Sequence, residues 1–183
     1  MTALHMLKYA GTSDLGALFG ELLAERWRTQ CHGALTTTVV TAIPLHKRRE
    51  RERGFNQAEI IAQAFAKALG VRYVRLISRP KPTRSQATLG YGDRQKNIVG
   101  AFAPRPQSEF LDKEMKLVFP FKTVILIDDV VTTGATLHEA SRVLQKSGAT
   151  TVHALTVAYA PKRTRGVDPG EVRRMVRQQF AKL

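Results

Sequence analysis

The chain has 183 residues, of which 29 are Lys or Arg and 15 are Asp or Glu, giving a formal net charge of +14. A single cysteine excludes an internal disulfide and a multi-cysteine zinc site, and no apolar run reaches the roughly 18 residues of a membrane span. We therefore expect one globular, cytoplasmic domain whose basic surplus favours phosphorylated or polyanionic partners.

The first half of the chain shows apolar periodicities typical of alternating helices and strands. Helical spacing predicts an amphipathic helix over residues 13–29, and a β-branched run predicts a buried strand over residues 36–43. The basic segment 47–53 is expected to be a loop, followed by a helix that ends near Leu69. Residues 71–77 alternate apolar and basic side chains, which predicts a strand with one exposed face.

The second half contains the longest stretch without either periodicity, residues 78–97. Its prolines, glycines and hydroxyl residues predict a loop, and a loop of this length in a compact domain is typically an active-site lid or disordered. Strand character returns over residues 98–103 and again over residues 151–159. We expect the domain to end near residue 160.

Residues 161–183 form a basic tail in which a short amphipathic helix is expected. Asp168 and Pro169 have the order of an N-cap and a first helical residue. One face would carry Val172, Met175, Val176 and Phe180, and the opposite face Arg173, Arg174 and Arg177. The sequence leaves open whether this helix docks on its own domain, on a second subunit of a homodimer, or on an acidic surface.

The most informative stretch is KTVILIDDVVTTGATL, residues 122–137. Its apolar run, residues 124–127, suits a strand buried on both faces of a parallel sheet. Two carboxylates, Asp128 and Asp129, are expected to follow as an acidic turn. A loop of small residues comes next, directly before a helical pattern, and it comprises Thr132, Thr133, Gly134, Ala135 and Thr136.

This order of elements has a chemical meaning. In open parallel sheets, ligands bind beyond the carboxyl ends of the strands, where a helix N-terminus offers N–H groups and a positive dipole end to an anion. The small-residue loop therefore fits a phosphate monoester. The carboxylates would repel that phosphate, so they fit sugar hydroxyls or a Mg²⁺ ion that bridges ligand oxygens. A ribose 5-phosphate with a further, metal-bound group combines all of these parts.

An apolar strand followed by Asp-Asp-x-x-Thr-Thr-Gly-x-Thr resembles the phosphoribosyl pyrophosphate (PRPP) motif of type I phosphoribosyltransferases. An ordinary strand–turn–helix needs a single capping Asp, which does not account for the second Asp or for the Thr-Thr-Gly. Phospho-receiver domains also contain Ile-Asp-Asp, but they need an acceptor Asp and a Lys on later strands. After Asp129 the one remaining Asp is Asp168, in the polar tail.

Further residues are similar to the ComF family of phosphoribosyltransferase-like proteins. They are Pro44-Leu45, Arg49, Arg53-Gly54-Phe55-Asn56-Gln57, Arg84-x-Gln86, Arg94-x-x-Asn97 and Ala101-Phe102. The resemblance implies an α/β fold over residues 1–160: an open, mainly parallel twisted sheet with helices on both faces, plus a mobile hood segment at about residues 78–97. It also implies a link to natural competence, the import of single-stranded DNA. The four-cysteine zinc ribbon with which family members often begin is not in this sequence, and the sequence leaves open whether it was trimmed away or lost in this lineage.

The resemblance also implies roles for individual residues. Asp128 and Asp129 would hold the ribose hydroxyls and orient Mg²⁺, directly or through water, and the loop Thr132–Thr136 would cradle the 5-phosphate. The mobile segment would bring four side chains over the anomeric carbon: Arg84, Gln86, Arg94 and Asn97. Pyrophosphate would be held by basic side chains, whose planar guanidinium groups bond phosphate oxygens bidentately: Lys47, Arg48, Arg49, Arg51 and Arg53. No residue stands out as a general base, so the acceptor is not readable.

Three functions remain compatible with the sequence. The first is a phosphoribosyltransferase that uses PRPP, or another ribose 5-phosphate ligand, and an unknown acceptor. The second is a competence factor that binds single-stranded DNA, with competence proteins as partners, and no longer catalyses. The third is a regulator that senses PRPP.

Overall fold

The computed structural model describes residues 13–30, 35–81, 98–106 and 121–160. The helices in this part of the chain are α1 (Ser13–Gln30), α2 (Lys47–Arg53), α3 (Gln57–Leu69) and α4 (Ala135–Lys146). The strands are β1 (Thr38–Ala42), β2 (Arg72–Tyr73), β3 (Ile77–Ser78), β4 (Ala103–Pro104), β5 (Thr123–Val131) and β6 (Thr151–Tyr159). The predicted helix over 13–29 and the predicted strands over 36–43 and 151–159 are confirmed to within two residues at each end.

Four strands form one parallel sheet in the order β2-β1-β5-β6. β5 occupies an inner position, where Ile125 lies between Val40 of β1 and His153 of β6. Because these strands all run in the same direction, their carboxyl ends lie along one edge, which we call the carboxyl edge. The predicted open, parallel α/β sheet is confirmed.

Successive β5 side chains point to opposite faces of the sheet, and each face is covered by helix. Ile125 and Ile127 pack in a cluster with α1 and α3, whose Phe65 is fully buried. Val124 and Leu126 pack in a second cluster with the apolar face of α4. This explains the uninterrupted apolar run of β5, since a strand buried on both faces has no solvent-facing position. The expected helices on both faces are likewise confirmed.

Two glycines, Gly16 and Gly20, let α1 approach α3 closely. A Cβ on Gly20 would lie 2.6 Å from the Ile61 carbonyl oxygen and 2.8 Å from the Phe65 amide nitrogen. Further along α1, Trp27 packs edge-on against the Phe65 ring, with the ring centroids 6.3 Å apart. The face of α1 that carries Gly16, Gly20 and Trp27 therefore packs against the core.

The prediction of one strand over residues 71–77 is wrong, because this segment contributes two short strands to two different sheets. β2 pairs with β1, and the ladder ends at Val74, whose N–H donates to the Val40 carbonyl at 2.9 Å. The Leu76 N–H then donates to the Val74 carbonyl at 3.0 Å and to the Thr41 hydroxyl at 3.2 Å, so a local turn and a side chain replace the next partner on β1. β3 pairs antiparallel with β4 in a separate two-stranded sheet.

The strand expected over residues 98–103 is also wrong over most of its length. Residues 98–101 form a turn, in which the Ala101 N–H donates to the Ile98 carbonyl at 3.0 Å and Gly100 has a φ of 66°. Ladder pairing involves only the two residues of β4. Ile98 and Phe102 are nevertheless buried, and this apolar character is what made the segment resemble a strand.

Residues 47–53, expected as a loop, form helix α2. At its start, His46 Nδ1 accepts the Arg48 N–H at 3.3 Å, and at its end Gly54 adopts a φ of 78°. An ion pair between Arg48 and Glu52 at 2.9 Å spans one turn. A side-chain cap, a glycine end and an internal ion pair thus turn the basic segment into a short helix.

The lid expected over residues 78–97 is described only as far as residue 81. Its four candidate site residues lie outside the described part of the chain, namely Arg84, Gln86, Arg94 and Asn97. The tail over residues 161–183 lies outside it as well, so the division into a domain over 1–160 and a tail stays a prediction. Within the described ranges, no helix combines the length and the apolar character needed to cross a membrane.

Replacing Gly20 with Ala tests the close contact between α1 and α3. In an exposed helix this change would stabilise the protein by up to about 1 kcal/mol, but here the new methyl group would overlap α3 backbone atoms. We expect the free energy of unfolding to fall by about 1–3 kcal/mol, measured by urea denaturation. Arg26→Ala, at an exposed position of the same helix, is the control and should change it by less than about 0.5 kcal/mol. Equal stability of Gly20→Ala and the parent would contradict the contact.

Candidate functional site

The acidic pair lies inside strand β5 and not in a turn after it. β5 continues to Val131 because β6 supplies ladder partners along this length. Asp128 Oδ1 accepts the Asp129 N–H at 2.9 Å, and Asp129 Oδ1 accepts the Val130 N–H at 2.7 Å. The prediction of an acidic turn is therefore wrong, and the strand itself presents both carboxylates at the carboxyl edge.

Burial dominates the electrostatics of Asp128. Removal from water raises the pKa of this carboxyl well above its ordinary value, and the neighbouring negative charge of Asp129 raises it further. The positive charge of Arg79 acts in the opposite direction. A cation beside the pair would relieve the same repulsion, so this position favours a bound cation or hydrogen-bond donors such as hydroxyls.

The oxygen donors at this position fit one kind of magnesium site. Among the described residues, no group of three or more His, Cys, Asp or Glu side chains could hold a metal ion, so a cage made wholly of protein ligands is not formed there. Mg²⁺ is commonly held by one or two carboxylates together with water and substrate phosphates. Asp128 and Asp129 supply such a pair, which fits a magnesium ion that arrives with a phosphorylated ligand.

The loop after β5 leads into the N-terminus of helix α4. Its N-cap is Gly134, at a φ of 79° that suits glycine, and this residue provides no side-chain cap. Thr133 Oγ1 lies 3.4 Å from the Ala135 nitrogen, whose N–H it accepts in a long hydrogen bond. The predicted loop Thr132–Thr136 therefore surrounds a helix N-terminus at the carboxyl edge, a geometry in which an anion can be bound.

Arg79, which the sequence analysis did not single out, connects the acidic pair with helix α2. Its guanidinium lies over the Phe102 ring, 5.4 Å from the ring centroid, in a cation–π contact. Burial lowers the pKa of this guanidinium, while the charge of Asp128 opposes the lowering and that of Arg49 adds to it. Arg49 of α2 and Asp128 of β5 therefore both lie near enough to Arg79 for their charges to act on it.

A cavity of about 450 Å³ lies at the carboxyl edge beside β1 and β2. Its volume falls within the range of roughly 300–1,000 Å³ typical of small-molecule sites. Its wall includes four basic and two acidic side chains, namely Lys47, Arg75, Arg79, Arg105, Glu50 and Glu59. The excess of basic groups suits the cavity to an anionic ligand.

One wall of the cavity is fixed by an ion pair between helix α3 and the chain after β2. Arg75 Nε donates to Glu59 Oε1 at 2.6 Å, and the Glu59 side chain is only 11% exposed. Burial and the neighbouring charge of Glu59 raise the pKa of the Tyr73 hydroxyl, so this hydroxyl stays protonated at neutral pH. The negative charge of Glu59 is thus compensated, and this wall does not repel an anion.

Helix α4 also anchors the turn before β4. Glu139 accepts the Gly100 N–H at 2.8 Å, and it accepts two hydrogen bonds from the Arg142 guanidinium at 2.7 and 2.8 Å. The hydrogen bonds from Arg142 are the main cause of the lowered pKa of Glu139. This carboxyl therefore stays charged. The turn that carries Phe102, and with it the guanidinium of Arg79, is therefore held against the helix that begins at the phosphate loop.

The structure brings together only part of the predicted pyrophosphate set. Lys47 lines the cavity, and the charge of Arg49 acts on the buried guanidinium beside it. Arg48 and Arg51 are exposed to solvent. Arg53 donates to a glutamine side chain at the start of α3 at 3.2 Å. Two members of the set thus face the candidate site, two are exposed on α2, and Arg53 links α2 to α3.

Residues 51–178 match the family described as phosphoribosyl transferase domain. Competence protein F of Haemophilus influenzae is 32% identical over 139 residues, which are 75% of this chain and 57% of that protein. The DNA utilization protein YhgH of Salmonella typhimurium is 30% identical over 151 residues, which are 81% of this chain and 62% of that protein. The matched part is thus about three fifths of the length of these relatives.

Among solved structures, the chain is similar to an allosteric regulatory enzyme of purine biosynthesis. The TM-score is 0.52 with 15% sequence identity, and the likeness covers 93% of this chain and 37% of that protein. At this identity the likeness concerns the fold alone. It agrees with the parallel sheet between two helix layers, and with the family match it confirms the expected α/β phosphoribosyltransferase fold.

Replacing Asp128 with Asn tests the cost of burying this carboxyl. Asn keeps the shape and the oxygen that accepts the Asp129 N–H. Because folding raises the pKa of Asp128, the parent loses stability as the pH rises from about 3.9, the ordinary carboxyl value, through the raised value of the folded protein. The variant lacks this loss. We therefore expect its midpoint of thermal unfolding to exceed that of the parent at about pH 7–8 and to approach it near pH 3–4.

The control for this series is Glu25→Gln, which removes an exposed carboxylate of α1. Its effect on the unfolding midpoint should be small at every pH, because an exposed, weakly interacting charge contributes little to stability. A difference between parent and Asp128→Asn that is absent at neutral pH, or largest in acid, would show that Asp128 is not destabilised by burial.

Proposed function

Because the chain belongs to the phosphoribosyl transferase domain family, with ComF-type relatives, we propose that it binds PRPP with Mg²⁺ and transfers ribose 5-phosphate to an acceptor. The single observation that supports this most strongly is a carboxylate pair placed directly before a helix N-terminus at one sheet edge. A sugar phosphate is the ligand that uses both features side by side.

The carboxylates would contact the sugar and the metal. Asp128 and Asp129 would accept hydrogen bonds from the ribose hydroxyls and hold Mg²⁺ directly or through water. Both side chains are already oriented by backbone N–H donors, so little side-chain order would be lost on binding. The 5-phosphate would lie on the N–H groups that begin α4, with threonine hydroxyls as further donors.

The cavity would hold the pyrophosphate group. Lys47, Arg79 and Arg105 line it, and Arg49 adds positive charge nearby. In the transfer, the bond between ribose C1 and the pyrophosphate oxygen breaks, the leaving group takes the electron pair, and the acceptor forms the new bond to C1. The basic wall would stabilise the charge that develops on the leaving group. Bound Mg²⁺ would add to this charge neutralisation.

The relatives suggest where such a reaction is used. One is a competence protein and the other a DNA utilization protein. We infer that the transfer serves the handling of single-stranded DNA that the cell has taken up, in concert with other competence proteins, and that this chain works in the cytoplasm.

The double substitution Asp128→Ala/Asp129→Ala tests the proposed ligand. We expect PRPP with Mg²⁺ to bind the parent, and we expect the double variant to lose about 2–4 kcal/mol of binding free energy, because charged hydrogen bonds to the ribose and support for the metal are removed. This is a loss of roughly 30-fold or more in Kd, measured by titration calorimetry. Glu21→Ala/Glu25→Ala removes two exposed carboxylates from α1 and should bind like the parent. Equal affinity of the Asp128→Ala/Asp129→Ala variant would remove the acidic pair from the ligand site.

Turnover is tested separately from binding. Pyrophosphate release from PRPP is measured with Mg²⁺ across a panel of nitrogen-containing acceptors. Release that depends on one acceptor supports the transferase, whereas binding of PRPP without release for any acceptor points to a PRPP-sensing regulator.

Exposed basic residues on α2 favour a second candidate function, the binding of single-stranded DNA. α2 has no buried residue, and the Arg48 side chain is 78% exposed. The helix lies beside the cavity, to which it contributes Lys47. A strand could therefore cross this rim through phosphate contacts, without the stacking faces that tight single-strand binding uses.

The triple substitution Arg48→Glu/Arg49→Glu/Arg51→Glu tests this second function. We expect the parent to bind DNA weakly, with an affinity that falls with salt at a log–log slope of roughly −0.7 per phosphate neutralised. The triple variant should show lower affinity and a flatter slope in a fluorescence anisotropy titration. Arg26→Glu/Lys67→Glu/Lys146→Glu makes the same change in net charge near the C-terminal ends of α1, α3 and α4, away from the carboxyl edge. This control should retain more DNA binding than the triple variant of α2. Equal loss in both variants would mean that DNA responds only to net charge.

A further inference from the structure

Helix α1 presents apolar side chains on two sides, and only one side faces the core. Leu18 and Leu22, one turn apart, are 49% and 50% exposed. Leu15 and Leu23 on either side are only partly buried against the cluster beneath. About half of each of these two leucines is left exposed. A contiguous apolar stripe on the surface of a charged protein indicates a contact that is made elsewhere.

Acidic residues flank this apolar stripe. Glu21 follows Leu18 by three positions, Glu25 follows Leu22 by three, and Asp14 precedes Leu18 by four, so all three lie along the same side of the helix. Glu21 and Glu25 are exposed. Arg26, which follows Leu22 by four positions, adds one positive charge at the end of the same side. In a chain with a net charge of +14, an apolar stripe bordered mainly by acids fits a partner helix that is apolar on one face and basic around it.

The direction of α1 shows at which edge of the sheet the helix begins. Gly16 lies against Ile60 near the start of α3, and the guanidinium of Arg28 donates to the Ala68 carbonyl near the end of α3. The two helices therefore run parallel, and α1 begins at the carboxyl edge. Trp27, near the end of α1, contacts the ring of His153 near the start of β6, with centroids 5.1 Å apart.

β6 borders the described sheet and ends at the same carboxyl edge. Its last contact is the Ala160 N–H, which donates to the Val131 carbonyl at 2.9 Å. Residues 161–167 separate this point from Asp168-Pro169, the predicted helix start. Seven extended residues span up to about 23 Å, which is more than twice the roughly 8–10 Å between the axes of packed helices. The tail can therefore turn back and follow α1 from its beginning.

We propose that residues 168–180 form a basic amphipathic helix that packs on the Leu18–Leu22 stripe of α1, within the same chain. Its apolar face, with Val172, Met175, Val176 and Phe180, covers the two leucines, and Arg173, Arg174 and Arg177 face the acids of α1. The family match extends to residue 178 and so includes this segment. The proposal does not depend on the ligand or on the reaction proposed above.

Hydrogen exchange on the full chain tests the docking. Burial of even one leucine side chain changes an equilibrium constant by about tenfold or more, so amides of residues 172–180 in the parent should exchange at least about tenfold more slowly than in Leu18→Ser/Leu22→Ser. Both replaced positions are exposed in the described structure, so the variant keeps its core. Unchanged exchange in residues 172–180 overturns the proposal, as does a loss of protection confined to residues 1–12.

A charge swap gives a second, independent readout. Glu21→Lys/Glu25→Lys should speed exchange in residues 172–180, and adding Arg173→Glu/Arg174→Glu to the same chain should slow it again. If Arg173→Glu/Arg174→Glu does not restore protection, the proposed contact between these arginines and the acids of α1 is wrong.

Crosslinking then separates one chain from two. In a Cys31→Ser background, Leu22→Cys with Val176→Cys should be joined within one chain by a short bismaleimide, at a yield independent of protein concentration. Gln145→Cys with Val176→Cys, which places the first thiol on the other face of the sheet at an exposed position of α4, should not be joined. A crosslink that forms only between chains, with a yield that rises with concentration, identifies a second copy as the occupant and overturns the proposal.

Discussion

The carboxyl group of Asp128 is partly withdrawn from water near the end of β5, and much of the candidate site is arranged around that unfavourable burial. β5 lies between β1 and β6 and between two layers of helix, so an acid near its end is partly shielded from solvent. The resulting rise in pKa is opposed by the guanidinium of Arg79. Asn would be easier to bury at this position. The presence of a carboxyl there therefore favours a role in binding over a role in stability.

Arg79 can oppose this burial because the small two-stranded sheet holds it in place. The Ser78 hydroxyl donates to the Ala103 carbonyl at 3.3 Å, and the Phe102 ring lies beneath the guanidinium. The turn before β4 is tied in turn to α4 through Glu139. Since α4 begins at the phosphate loop, the acidic pair, the loop and the basic cavity wall are parts of one packed arrangement. A substitution of Glu139 would accordingly alter the position of Arg79, although the two residues belong to different elements.

The main sheet and the central motif could be predicted because their signals are local: β5 and β6 are apolar runs, and the acidic pair and the threonine loop are contiguous. Two of the errors lie where a local hydrogen bond decides the backbone. The His46 cap makes a helix of an expected loop, and the Val74 carbonyl together with the Thr41 hydroxyl takes the Leu76 N–H that would have continued β2. Arg79 could not be told from the other basic residues of its segment, because the groups that give it a role, Phe102 and Asp128, are distant in sequence.

The position of the charged side chains, more than the net charge, determines where an anionic ligand can approach the protein. At the carboxyl edge, four basic side chains line a concave wall that also holds two acids, of which Glu59 is already paired, so the local field there attracts anions and is focused by the cavity. On α1, by contrast, Glu21 and Glu25 border an apolar stripe, and this face would repel a phosphate backbone. A phosphorylated ligand or a nucleic acid strand would therefore approach over α2 and the cavity rim and not across α1. The net charge of +14 is thus unevenly distributed over the surface. A basic segment of the chain itself is the kind of partner that the α1 face can accept.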